Sequence, residues 1–255
     1  MMRAGILLTT LLVAVKPLHA KLPDNFVYLS QVAPTILQDI RYASDHNFIG
    51  RPLAGYEAQE CILTKTAAQQ LLEAQLELES IGYSLKVYDC YRPQQATQDM
   101  LTWSKTSDNK MQKEFYPKFR KSDLVKYKFI KPDSSHHKGS AIDITIVALP
   151  ALNQKDYDPG QNLVACHDKK HNRFYDNSID MGTSYNCFHP AAHIKYKRLS
   201  LASLENRLIL RQLLEKHNFS ASDTEWWHFE YQDEEPTTMN LNFAIKEAPN
   251  TQAVS

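Results

Sequence analysis

Glycine is scarce in this chain, with seven in 255 residues. No G-x-G-x-x-G and no G-x-x-x-x-G-K occurs, so the backbone cradles that hold nucleotide phosphates are not encoded. An excess of one charge is also lacking. Lys plus Arg and Asp plus Glu each number 29, and the pI is about 7.1. Nucleic acid or an anionic membrane surface calls for a basic excess, so neither is expected as a partner. No C-x-x-C pair exists among the four cysteines, which argues against a cysteine-held zinc. With 43% hydrophobic and 23% charged residues, the chain has the composition of a globular protein, long enough for one large domain or two small ones.

The first twenty residues differ from the rest. "MMRAGILLTTLLVAVKPLHA" places Arg3 before an apolar stretch, Ala4 to Val15, that is shorter than the about 20 residues needed to cross a bilayer. It fits a secretory signal, residues 1–20, cleaved after Ala20, with Lys16 and Leu18 as imperfections; a buried N-terminal helix is the alternative. The mature chain would begin at Lys21 with no membrane span and would be periplasmic or secreted. Four cysteines in an exported protein suggest two disulfides. Of the three pairings, Cys61–Cys90 and Cys166–Cys187 are favoured, because the first pair lies in regular-looking segments and the second flanks a polar stretch. Four free, partly buried thiols are the alternative.

Apolar periodicity marks the elements. "TKTAAQQLLEAQLELESIG" reads as a helix capped by Thr64 and ended by Gly82. "YSLKVYDCY" alternates and reads as a strand, and Pro93 opens a helix over "QQATQDMLTWSK". "AIDITIV" is a short strand. "SLENRLILRQLLEKHNF" is a helix with a weak capping box from Ser203 to Asn206, and "EWWHFEYQ" is an aromatic strand. Residues 149–180 show little periodicity and read as a surface excursion tied down by Cys166–Cys187, with a short hairpin as an option. Residues 248–255 are an expected disordered tail. Strands and helices do not alternate strictly, so the expected fold class is α+β, an antiparallel sheet with flanking helices.

Asp143 is out of place in "AIDITIV", because a carboxylate inside an apolar strand is tolerated only when paired or bound to metal. His136 lies seven residues upstream, with Gly139 and Ser140 making a turn between them. That spacing can bring imidazole and carboxylate together at the sheet rim. It fits a buried Asp that caps a turn and pairs with His, and it fits two metal ligands. "EWWHFEY" adds His228 and Glu225, although alone it reads as an aromatic core strand with an edge Glu. His136, Asp143 and His228 would supply the three ligands usual for catalytic zinc, leaving Glu225 as a free carboxylate. An odd separation in a strand puts Glu225 and His228 on opposite faces, so Glu225 must sit in a turn before the strand or on a bulge. Arg92, in "YDCYRP", is ordinarily solvated or paired; in a zinc hydrolase it would stabilise an oxyanion. "HPAAH", His189 to His193, lacks the glutamate of H-E-x-x-H and reads as structural. His167 and His171 read as solvated.

Together, Y-D-x-Y-R-P, S-x-H-x-x-G-x-A-x-D and E-x-W-H resemble the zinc D-alanyl-D-alanine dipeptidases of the VanX type, which share a fold with zinc D,D-carboxypeptidases and hedgehog domains. "RYASDHNFIGRPLAGY" is similar to a further segment of that family. The resemblance runs from about Asp39 to Phe243, with residues 151–179 as an insertion in a single zinc peptidase domain, 21–247. It implies one Zn2+ per chain on His136, Asp143 and His228, with Glu225 as general base and Arg92 as oxyanion partner. Tyr42 and Ser134 match positions lining the dipeptide pocket, and Trp226 and Trp227 would wall in Glu225. His137 matches no ligand position and is expected exposed at the rim. "MGTSYN" puts Asn186 where the family has an aspartate facing the substrate ammonium. The implied activity is hydrolysis of D-Ala-D-Ala in peptidoglycan turnover or recycling. A D,D-carboxypeptidase acting on longer wall peptides, or a non-catalytic zinc-binding module, are the alternatives.

Overall fold

The computed structural model describes residues 21–233 and 241–249. The expected signal, residues 1–20, and residues 250–255 of the expected tail lie outside the described residues. The strands are β1 Phe26–Tyr28, β2 Leu37–Gln38, β3 Ile62–Thr64, β4 Tyr83–Asp89, β5 Ala141–Ala148, β6 Phe219–Ala221 and β7 His228–Tyr231. The α-helices are α1 Leu29–Val32, α2 Lys65–Glu79, α3 Gln94–Trp103, α4 Gln112–Phe115, α5 Lys121–Lys126 and α6 Leu201–Lys216. Single 3-10 turns cover Arg41–Ala43, Ser135–Lys138 and Pro190–Ala192.

A five-stranded sheet runs in the order β2-β4-β5-β7-β6, and β1 pairs with β3 alone. All pairings are antiparallel except the short edge contact of β2 with β4. The α+β expectation is met, with a parallel edge added. β5 is the middle strand and is buried from Ala141 to Val147, which is why its sequence is apolar on both faces. Antiparallel register sets Asp89 opposite Asp143 and Asp143 opposite His228. Three titratable residues therefore stand in one row across three strands. A register shift between Val87 and Asp89 bends the end of β4 and re-aims the residues that follow.

The helices form where capping and periodicity place them. Thr64 Oγ1 accepts from the Ala67 amide at the start of α2, and the helix buries Ala67, Ala68, Leu71, Ala74 and Leu78. Gly82, at φ +82°, turns the chain into β4. α6 begins earlier than its sequence suggests: Ser200, not Ser203, caps it by accepting from the Ser203 amide. "EWWHFEYQ" also becomes strand later than expected, at His228, because the preceding residues form a turn.

Both expected disulfides, Cys61–Cys90 and Cys166–Cys187, are formed. Residues 149–180 contain no helix or strand, only an isolated bridge from Ser178 to Val147. Their course is not wholly superficial. Asp176 is buried, accepts from Tyr88 Oη at 2.6 Å and faces Arg41 at 3.8 Å. The start of the tail is ordered as well, with Ala248 packed against the core.

Candidate active site

The row of residues across the sheet becomes a site because the Ser135–Lys138 turn hangs His136 over it. Gly139 makes this possible by ending the turn at φ +71°, in the left-handed region. His136 Nε2 lies 3.2 Å from His228 Nδ1 and 3.4 Å from Asp143 Oδ1. His228 Nδ1 lies 3.0 Å from the same oxygen. One oxygen and two ring nitrogens thus face a common point.

The outward atoms of the three side chains are each fixed. His136 Nδ1 is 2.7 Å from the Cys90 carbonyl. A carbonyl only accepts, so this nitrogen carries the proton and Nε2 presents a lone pair inward. His228 Nε2 is 3.1 Å from the Glu230 carboxylate, which by the same reasoning leaves Nδ1 to face inward. Asp143 Oδ2 accepts from Tyr185 Oη at 2.8 Å. For zinc bonds of about 2.0–2.1 Å, tetrahedral ligands stand about 3.3 Å apart, so these donors fit such an ion without rearrangement.

Protonation equilibria show how tightly the three are matched. Burial alone would raise the Asp143 pKa, but His136 and His228 outweigh it and hold the carboxyl far below the usual range. Burial would lower His228, but hydrogen bonds to Asp143 and Glu230 push it up to about 10. Glu230 falls to about 2, chiefly through its hydrogen bond to His228.

Glu225 lines the same cleft from the turn before β7, as the odd spacing to His228 requires. Burial raises its carboxyl above the ordinary value, with His228 partly opposing. Arg92 reaches in from the bent end of β4. Its Nε and terminal nitrogen donate to Asp89 Oδ2 at 3.0 and 2.7 Å, and the terminal nitrogen is 3.9 Å from Asp143 Oδ2. Its guanidinium also lies 5.0 Å from the Tyr42 ring centre. Tyr42, Ser134, Asn186 and Trp227 complete the walls of a cleft of about 220 Å³. That is smaller than an ordinary drug-sized pocket of about 300–1,000 Å³ and suits a small ligand. Asn186 sits at φ +56° and donates from Nδ2 to Tyr42 Oη at 2.9 Å.

His137 departs from expectation. It is fully buried, not at the rim, and its Nε2 is 2.9 Å from Thr97 Oγ1. Adjacent residues in a 3-10 turn point in different directions, so His136 enters the cleft while His137 enters the core, where burial lowers its pKa to about 4. Trp226 does not reach the cleft and instead donates to Thr183 at 2.8 Å. Asp180 is paired with Arg173 at 2.5 Å and does not line the cleft. His189 accepts from the Ala191 amide at 3.0 Å, and its ring stacks on His167, so His167 is half-buried rather than solvated. Among the described residues, Cys166, His167 and Cys187 also bring candidate ligand atoms together, but both sulfurs are spent in the disulfide.

Sequence reasoning left several residues of the site without a role. Asp89 lies inside the quoted "YDCYRP" and bridges Arg92 to Tyr56, whose hydroxyl donates to it at 2.5 Å. Glu230 stands two residues after His228 on the same strand face. Tyr185 carried no signal, because its partner is 42 residues away.

A family model described as D-ala-D-ala dipeptidase matches residues 23–176 and 175–246. The D-alanyl-D-alanine dipeptidase of Enterococcus faecalis is 30% identical over 223 residues, covering 87% of this chain and 98% of the relative. That of Streptomyces coelicolor is 26% identical over 222 residues, covering 87% and 98%. That of Escherichia coli is 27% identical over 232 residues, covering 91% and 97%.

Proposed function

The chain belongs to the D-Ala-D-Ala dipeptidase family, and from that premise we propose that it hydrolyses free D-Ala-D-Ala with one zinc ion held by His136, Asp143 and His228. The observation that carries this reading is the convergence of His136 Nε2, Asp143 Oδ1 and His228 Nδ1 within 3.0–3.4 Å of one another, beside a carboxylate and a guanidinium that are not ligands. Zinc bound there would lower the pKa of a water and polarise the peptide carbonyl. Glu225, a buried carboxyl held above its ordinary pKa beside the three ligands, takes the proton of the attacking water and passes it to the leaving amine. Arg92 donates a charged hydrogen bond to the oxygen on which charge develops, while Asp89 keeps it in place. Tyr42, Ser134 and Asn186 hold the dipeptide, and the small cleft limits its size.

The signal-like sequence of residues 1–20 and the two disulfides support an oxidising, extracytoplasmic location, where the substrate would be dipeptide freed in peptidoglycan turnover. A purely binding role is disfavoured because it needs neither Glu225 nor Arg92. A neutral Asn186 in the cleft favours one second reading, action on longer peptides without a free amine nearby. Release of D-alanine from D-Ala-D-Ala and from an N-acylated analogue tests the choice. The dipeptidase reading requires the higher kcat/KM on the free dipeptide; a higher value on the acylated compound would make the protein a D,D-carboxypeptidase.

A further inference from the structure

Asp143 has two carboxylate oxygens, and the two are treated differently. Oδ1 faces both ring nitrogens of His136 and His228. Oδ2 points away and accepts from Tyr185 Oη at 2.8 Å, with a terminal nitrogen of Arg92 3.9 Å from it. A carboxylate that can rotate offers a metal either oxygen, or both. A hydrogen bond to one of them fixes which is presented.

Tyr185 is built to give that bond from a fixed place. It is 1% exposed, so its hydroxyl is held in the core. Its ring stacks on Tyr88, with centres 4.4 Å apart and planes 8° from parallel, and meets Trp227 edge-on at 5.6 Å. The ring therefore has little freedom to carry its hydroxyl elsewhere.

We propose that Tyr185 is a positioning residue for the metal site: its hydroxyl holds Asp143 in the single orientation that presents Oδ1 to the ion. The inference rests on the zinc reading above. Tyr185 does not line the cleft, so its effect is on metal affinity first and on turnover only through it. Partners of this kind, hydrogen-bonded to ligands, typically change metal affinity by about 10–100-fold when lost.

The test is a competition titration of zinc against a chromophoric chelator for the parent, Tyr185→Phe and Tyr88→Phe, with melting temperatures of the metal-free proteins. Tyr185→Phe removes the hydroxyl and keeps the stacked ring, and its zinc affinity should fall by about 10-fold or more. Tyr88→Phe also removes a buried tyrosine hydroxyl bond, but one that does not reach a ligand, and its affinity should stay near the parent's. Unchanged affinity in Tyr185→Phe overturns the proposal. Equal losses in both variants, following their melting temperatures, make the bond merely structural and overturn it too. A parent that binds no zinc overturns the metal reading itself, and this inference with it.

Discussion

Single atoms decide most of the chemistry proposed here. Hydrogen bonds to Asp143 and Glu230 push the His228 pKa up to about 10 against the opposing effect of burial. A metal ligand must be deprotonated, so zinc has to displace the His228 proton. The sign follows: below pH 10 each fall of one unit strengthens the competing proton, and zinc affinity should drop by about tenfold per unit. Titrations at about pH 8 and about pH 6 check it, and a pH-independent affinity would show that His228 carries no proton to lose. Asn186 is the residue that sets amine recognition if it faces the substrate ammonium. Its Nδ2 now donates to Tyr42 Oη; an aspartate there would accept from the same hydroxyl and add a charge. Asn186→Asp should raise kcat/KM for free D-Ala-D-Ala by about tenfold, or ~1.4 kcal/mol, and leave the N-acylated analogue unchanged or worse. Equal changes on both substrates would remove Asn186 from amine recognition. Both residues tolerate the left-handed backbone found at this position.

At the scale of elements, the site depends on one turn delivering one histidine. Gly139 sits at φ +71°, and a Cβ there would collide with the Phe26 ring. Gly139→Ala should therefore cost about 2 kcal/mol or more, from left-handed strain plus the clash, and should weaken zinc binding by displacing His136. Urea unfolding with a zinc titration checks both, and a variant of parental stability would show that the turn can relax. The sequence made this element legible: the lone aspartate in an apolar run, the histidine before a glycine turn, and the odd spacing of Glu225 from His228 all translate into observed geometry. Where the strand of "EWWHFEYQ" begins was not legible, because a run of aromatic residues fits turn and strand alike. The Ser200 cap was missed because Ser203 offers the same chemistry three residues later. His137 was misread because neighbouring histidines look equivalent until a 3-10 turn sends one into the core. Tyr185 and Asp176 were invisible for a different reason: their partners are 42 and 88 residues distant, and only tertiary packing selects them.

For the whole molecule, the sheet supplies a rigid row and the disulfides fasten what surrounds it. Cys61–Cys90 closes a span of 29 residues and ties β3 to the chain just past β4, where the Cys90 carbonyl accepts from His136. Removing it by replacing both cysteines with alanine should lower stability by ~3–4 kcal/mol on the loop-entropy estimate, seen as a lower denaturant midpoint. Equal midpoints would show that the bridge contributes nothing to folding. Non-reduced peptide mapping of protein recovered from an exporting cell should find both pairs oxidised; free thiols on all four cysteines would contradict the proposed location.

The most direct test of the central claim is the turnover of D-Ala-D-Ala by Glu225→Ala and by the parent at equal zinc occupancy. Glu225 lines the cleft outside the His136, Asp143 and His228 group that could hold the ion, so on the proposed assignment the variant should keep stoichiometric zinc and its fold, and lose at least about 100-fold in kcat, the lower end of a general base's contribution. A variant that holds zinc and still turns over within about tenfold of the parent would mean that another group activates the water, and that the arrangement of His136, Asp143, His228 and Glu225 is not the catalytic one.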